Sequence, residues 1–118
     1  VVWSFTVQPA HCNGNRTLHG GCIATLFDYC TTMPVMLVSS VADGFWSRMG
    51  VTRTLNMTYL RPIPVGTEIR IVCEVLAVGK RLGAIRGEMR RASDDALLVT
   101  CEHGRVNTDP PPKKGNKL

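Results

Sequence analysis

Between Cys22 and Ala42 the chain carries one charged side chain, Asp28, in a stretch otherwise suited to burial. An ionised carboxylate buried without partners is strongly unfavourable, so this one must be paired, protonated or put to work. It lies more than a turn inside the helix that the stretch predicts, too deep for an N-cap. One reading holds it by an Arg or by Thr hydroxyls across a subunit contact. The other makes it catalytic.

Upstream, Gly20-Gly21 follows His19 at the helix start. Glycines there let another group approach the backbone, and the free N–H groups point outward at the positive end of the helix dipole. Such a terminus can polarise a carbonyl and stabilise an oxyanion. A substrate carbonyl at one subunit's helix start could then meet the Asp28 of a neighbouring subunit. His11, Cys12, His19 and Cys22 invite two rival readings. Their C-x6-H-x2-C spacing fits no standard zinc site, and a Cys12–His19 hydrolase lacks a third group to orient the histidine.

These residues need elements to hold them. Residues 1–8 alternate apolar and polar as a strand, and residues 9–17 read as a loop. A helix is predicted from about 19–21 to about 40, with Pro34 as a kink. Its sheet-facing side reads as Ile23, Leu26, Phe27, Cys30, Met33 and Leu37. The other side, with Ala24, Thr25, Asp28, Thr31, Thr32 and Val35, has no Lys or Glu and calls for a second cover, a partner subunit. Strands follow at 51–62, 66–79, 84–92 and 97–107, joined largely by tight turns, with G-K-R-L-G as a hairpin. The order predicts an α+β fold, an antiparallel sheet with one long helix packed on it.

The totals exclude several classes. Hydrophobic content of 44% and charged content of 19% are those of a folded domain. The net charge of +5 owes much to Lys113, Lys114 and Lys117 near the end, and no basic stripe with aromatics suggests nucleic acid. A mildly basic chain also suits an anionic small ligand. Five cysteines without compact spacings read as reduced, so an intracellular setting is expected. The 22–42 stretch has the length of a membrane span, but a central Asp and the strands behind it argue against one. The domain is taken as residues 1–108, with a flexible tail at 109–118. The start at Val1 reads as incomplete.

The stretch N-G-N-R-T-L-H-G-G-C-I-A-T-L-F-D (residues 13–28) resembles the signature N-x-x-x-T-L-H-G-G-x-x-A-T-L-x-D of hotdog-fold acyl-CoA thioesterases. The similarity, closest to the branch of phenylacetyl-CoA-type and thioesterase-superfamily member 2-type enzymes, continues through residues 56–83 and covers residues 1 to about 107. It implies a hotdog fold, with the sheet wrapped around a central helix, and hydrolysis of an acyl-CoA to free acid and CoA. No cofactor or metal is implied, and CoA enters only as part of the substrate.

By the same resemblance, Asp28 is the general base or nucleophile, Asn13 orients water and thioester, and the Gly20 N–H polarises the carbonyl. Asn15 replaces Asn13 if the loop alignment slips. Thr52 falls near the reacting water. The turn at 77–82, with Lys80, Arg81 and Leu82, would bind the CoA nucleotide. His19, in a positioning role, joins Gly21, Thr32 and Tyr59 as substrate-binding, although Tyr59, like Trp46, also suits a core or loop anchor. A homodimer or homotetramer with the site at the subunit interface, in the cytoplasm or mitochondria, completes the expectation. The loop at 41–50 is longer than in close relatives, which leaves acyl-chain preference open. A non-catalytic acyl-CoA binding module and a hotdog hydratase or dehydratase are the alternatives.

Overall fold

The computed structural model describes residues 1–111; Lys113, Lys114, Lys117 and most of the expected tail lie outside that range. Strands β1 (Val2–Thr6), β2 (Val51–Tyr59), β3 (Glu68–Val78), β4 (Leu82–Arg91) and β5 (Leu97–Val106) form one antiparallel sheet in the order β1-β3-β4-β5-β2. The single long helix, α1 (Gly20–Val38), crosses one face of the sheet. This is the expected α+β arrangement.

Period-two patterning decides which side chains meet the helix. In β3, Ile69, Ile71 and Cys73 are buried between more exposed neighbours. The alternation fails after Val75, where a bulge displaces Leu76 and leaves it exposed. In β5, Val99, Cys101, His103 and Arg105 all point inward. Phe27 is fully buried against β4, where Gly87 leaves room for it. A Cβ at Gly87 would stand 2.8 Å from the Phe27 ring and 3.0 Å from the Thr31 methyl, so the helix seats on bare backbone there.

The helix faces differ from the sequence expectation. Ile23, Phe27, Cys30, Thr31, Pro34 and Val35 are buried, whereas Met33 and Leu37 are exposed. At about 100° per residue, steps of three and four carry Met33 and Leu37 off the stripe centred on Phe27. The spacing puts Thr31 on the outward side, but its hydroxyl donates to the Phe27 carbonyl and needs no solvent. The helix runs unbroken through Pro34. By length and composition it could cross a membrane, but here it lies along the sheet.

The 41–50 loop is folded onto the domain. Trp46 is fully buried and donates from Nε1 to the Gly79 carbonyl at 2.8 Å. Asp109, counted with the tail by the sequence, accepts from the Ser47 N–H and hydroxyl, both at 2.8 Å, and from the Arg48 N–H at 3.1 Å. The chain is therefore anchored as far as Asp109.

Candidate active site

Three elements converge beside Asp28. The helix brings Asp28, Thr31 and Thr32; the start of β2 brings Thr52; the inward face of β5 brings His103 and Arg105. Thr52 pairs with Arg105 just before a bulge at Thr52/Thr54, which turns its side chain toward the helix. Its Oγ1 lies 3.2 Å from Asp28 Oδ1 and 2.9 Å from His103 Nε2. Asp28 Oδ1 and His103 Nε2 are 3.7 Å apart.

Asp28 is not buried in this chain. Its side chain is 51% exposed while His103 behind it is 0% exposed. Asp28 sits on the shoulder of the helix, so one carboxylate edge meets Thr52 and the other opens outward. The exposed apolar side chains Tyr29, Met33, Met36 and Leu37 continue that outer surface along the helix.

Behind Asp28 the side chains are buried and hydrogen-bonded to one another. His103 Nδ1 lies 2.6 Å from Thr31 Oγ1. Arg105, 6% exposed, spreads its fork over Met49 O, Gly50 O and Thr32 Oγ1, each at 2.9 Å, with Nη1 also 3.5 Å from His103 Nε2. Thr32 in turn donates to the Asp28 carbonyl at 2.6 Å. Burial, and then the neighbouring Arg105 charge, hold the His103 pKa below its ordinary value, with Asp28 pulling the other way. His103, Arg105 and Thr31 were absent from the sequence-predicted set. The available signal was the alternation of L-L-V-T-C-E-H-G-R-V-N, which puts His103 and Arg105 in phase with Val99 and Cys101.

The helix start forms a second group. His19 is the N-cap, and its Nδ1 accepts from the Gly21 N–H at 2.9 Å. Among the described residues the Gly20 N–H has no hydrogen-bond acceptor, so it remains available to an incoming oxygen. The Tyr59 hydroxyl donates to Gly20 O at 3.3 Å and joins Leu18, Ile23 and Ile63 around a cavity of about 210 Å³.

Asn13 braces the loop before the helix. Its Oδ1 accepts from the Asn15 and Thr17 N–H groups at 2.9 and 3.2 Å, and its Nδ2 donates to Thr17 Oγ1 at 2.9 Å. One amide hydrogen of Nδ2 is left over. Asn15 contributes only its backbone to this turn.

Lys80 and Arg81 form the β3–β4 turn, with Leu82 beginning β4 and half-exposed. Asn107 grips the turn, its Nδ2 donating to Lys80 O at 3.0 Å and its N–H to Arg81 O at 2.7 Å. Lys80 and Arg81 line a cleft of about 700 Å³ with Phe45, Asp109 and Pro110. The histidines of the zinc-like spacing are spent on the backbone: His11 Nδ1 accepts from the Gln8 N–H at 3.0 Å, and His19 caps the helix. Cys12 Sγ faces the Gln8 carbonyl at 3.5 Å. All five cysteines are free thiols.

Comparison with known proteins agrees with this architecture. Residues 15–98 match the Thioesterase superfamily. Acyl-coenzyme A thioesterase 13 of Mus musculus is 31% identical over 103 residues, covering 87% of this chain and 69% of the relative. The crystal structure of zebra fish thioesterase superfamily member 2 superposes with a TM-score of 0.80 at 29% identity, covering 90% of this chain and 72% of the other. A hypothetical thioesterase protein of Streptococcus pneumoniae, crystallised with coenzyme A, shares the fold with a TM-score of 0.79 at 17% identity, covering 94% and 82% of the two chains.

Proposed function

This chain belongs to the thioesterase superfamily, and we propose that it hydrolyses acyl-CoA thioesters with Asp28 as general base. The observation that carries the reading is the half-exposed Asp28 carboxylate, within reach of the Thr52 hydroxyl and backed by the buried His103. The likeness to acyl-coenzyme A thioesterase 13 supports the substrate class.

Water held by Asp28 and Thr52 gives a proton to Asp28 as its oxygen attacks the thioester carbon. The carbonyl oxygen takes up negative charge, which the Gly20 N–H and the positive helix terminus stabilise. Collapse breaks the carbon–sulfur bond, and the thiolate of CoA leaves with the proton held by Asp28. The free Nδ2 hydrogen of Asn13 suits a bond to the thioester oxygen. Lys80 and Arg81 suit the phosphates of the nucleotide, and the cleft they line suits its bulk. His19, Gly21 and Tyr59 shape the helix start; Thr32 supports Arg105 beside Asp28, and Leu82 follows the Lys80–Arg81 turn.

The donor and the base come together through a second subunit. Strand β2 lies at the sheet edge with one side unpaired, and edge strands readily add another strand. Tyr29, Met33, Met36 and Leu37 leave an apolar face beside Asp28. A dimer, or a pair of dimers, covers both and brings one subunit's Gly20 toward its neighbour's Asp28. Light scattering should give at least twice 12.9 kDa, and a stable, active monomer would contradict the shared site.

The activity is tested by thiol release from a panel running from acetyl- to palmitoyl-CoA with phenylacetyl-CoA included. Hydrolysis of at least one member is expected. Binding of CoA without turnover of any would mark a binding module instead, and water addition to an enoyl-CoA would mark a hydratase.

A further inference from the structure

Two threonine hydroxyls, Thr31 and Thr52, contact His103 and a third, Thr32, contacts Arg105 beside it; each has one hydrogen to give. Thr31 spends its own on the Phe27 carbonyl, and Thr32 spends its own on the Asp28 carbonyl. The contact between Thr31 Oγ1 and His103 Nδ1 at 2.6 Å must then be an Nδ1–H donating to the threonine oxygen. With Nδ1 protonated, the neutral ring has a bare Nε2. Two groups face that nitrogen: Thr52 Oγ1 at 2.9 Å and Arg105 Nη1 at 3.5 Å.

Thr52 alone has a choice. Its hydrogen goes either to His103 Nε2 or to Asp28 Oδ1 at 3.2 Å. The guanidinium of Arg105 is donor-only, so a hydrogen on Nε2 would point at another donor and a positive charge. That leaves the nitrogen bare and the Thr52 hydrogen directed at it.

We infer that Arg105 is a positioning residue that keeps the Thr52 hydroxyl donating to His103, so that Asp28 and the Thr52 oxygen both stay free to accept the hydrogens of the attacking water. The inference rests on the hydrolysis reading above. Arg105 is built for the task, since the same fork holds the Met49 and Gly50 carbonyls immediately before β2 and so fixes where Thr52 stands. Met49 and Gly50 have φ of 63° and 67°, a corner that needs external support. A water donating to Asp28 and Thr52 together has a lone pair left to aim at the thioester carbon. A protonated His103 reverses the chain: Nε2–H donates to Thr52, Thr52 donates to Asp28 Oδ1, and that oxygen and the Thr52 oxygen no longer accept together from the attacking water.

The charged and titratable groups facing His103 are few. Arg105 and Cys101 share its strand face, and Asp28 comes from the helix. Its cross-strand partners, Leu55 of β2 and Ile85 of β4, are uncharged. Cys101 stays a neutral thiol, because burial first, and then the Glu102 and Asp28 charges, push it up to about 12. Activity should therefore fall on the acid side as His103 takes a proton, at a pH below the ordinary histidine value of about 6.5. Removing the Arg105 charge should raise that limb.

The test joins nitrogen-15 NMR of the histidine rings with pH profiles of kcat/KM. In the native protein His103 should appear as the Nδ1–H tautomer and titrate below about 6.5. In Arg105→Gln, which retains an amide to bond the loop, both the His103 midpoint and the acid limb should rise by about one pH unit. Arg105→Lys keeps a cation and should leave the limb near its native position, even if turnover drops. An Nε2–H tautomer in the native protein overturns the inference, with no variant required. So does an acid limb that stays put in a folded Arg105→Gln protein. A native protein with the expected tautomer and midpoint but no turnover of any acyl-CoA supports the proton placement and overturns the hydrolysis reading instead.

Discussion

Along the inward face of β5, Val99 and Cys101 meet the apolar half of the helix, and His103 and Arg105 meet its threonines. The two halves are equally buried and are held by different means. Val99, Cys101, Cys73, Met89 and Phe27 form one apolar cluster, in which shape and volume decide the fit. Burial first pushes the thiols of Cys73 and Cys101 up to about 12, so they are packing groups and not nucleophiles. On the polar half, direction decides. Every hydrogen around His103 has an assigned acceptor, and losing one partner strands another. The apolar half tolerates a change of shape at a cost in stability; the polar half tolerates little change and pays in turnover.

The largest expected effect separates the halves by stability. Phe27→Ala empties the seat over Gly87 and should lower unfolding stability by about 3–5 kcal/mol in a denaturant titration, with any protein that stays folded keeping its Thr52–Asp28 contact. A loss under about 1 kcal/mol would mean that the helix is held chiefly from elsewhere. On the polar half, Thr52→Val should leave the denaturation midpoint near native, since Arg105 Nη1 still faces His103 Nε2. Turnover should drop about 10- to 100-fold as the attacking water loses the Thr52 oxygen that accepts from it. Equal losses of stability and turnover would erase the distinction. The smallest effect lies outside both halves. The Arg70–Asp95 pair, 2.7 Å apart and largely exposed, should change stability by less than about 1 kcal/mol in Arg70→Ala. A larger change would show that the sheet's outer face contributes to the core.

The same contrast explains what the sequence made legible. Strands and helix were readable because apolar residues recur with the period of the element that buries them. Ile69, Ile71 and Cys73 obey that rule, and the helix start follows from His-Gly-Gly. Hydropathy could not rank Met33 against Thr31, because the helix buries the threonine whose hydroxyl finds a carbonyl and exposes the methionine that finds nothing. Asp28 and Thr52 stood out by residue type and by family likeness. His103 and Arg105 did not, because their use depends on a contact between residues more than seventy positions apart. Asn13 enters by family likeness as a residue that orients water and thioester, and its bonds to Thr17 could not be read from spacing.

The central claim is that Asp28 does chemistry. It is tested most directly by turnover of the best acyl-CoA with Asp28→Asn, measured beside CoA affinity and melting temperature. Asparagine preserves the shape and removes the basic oxygen. The account predicts a fall in kcat of at least about 100-fold, with CoA affinity and melting temperature near native. A folded Asp28→Asn protein with near-native turnover would contradict it, and would make the carboxylate a structural partner of Thr52.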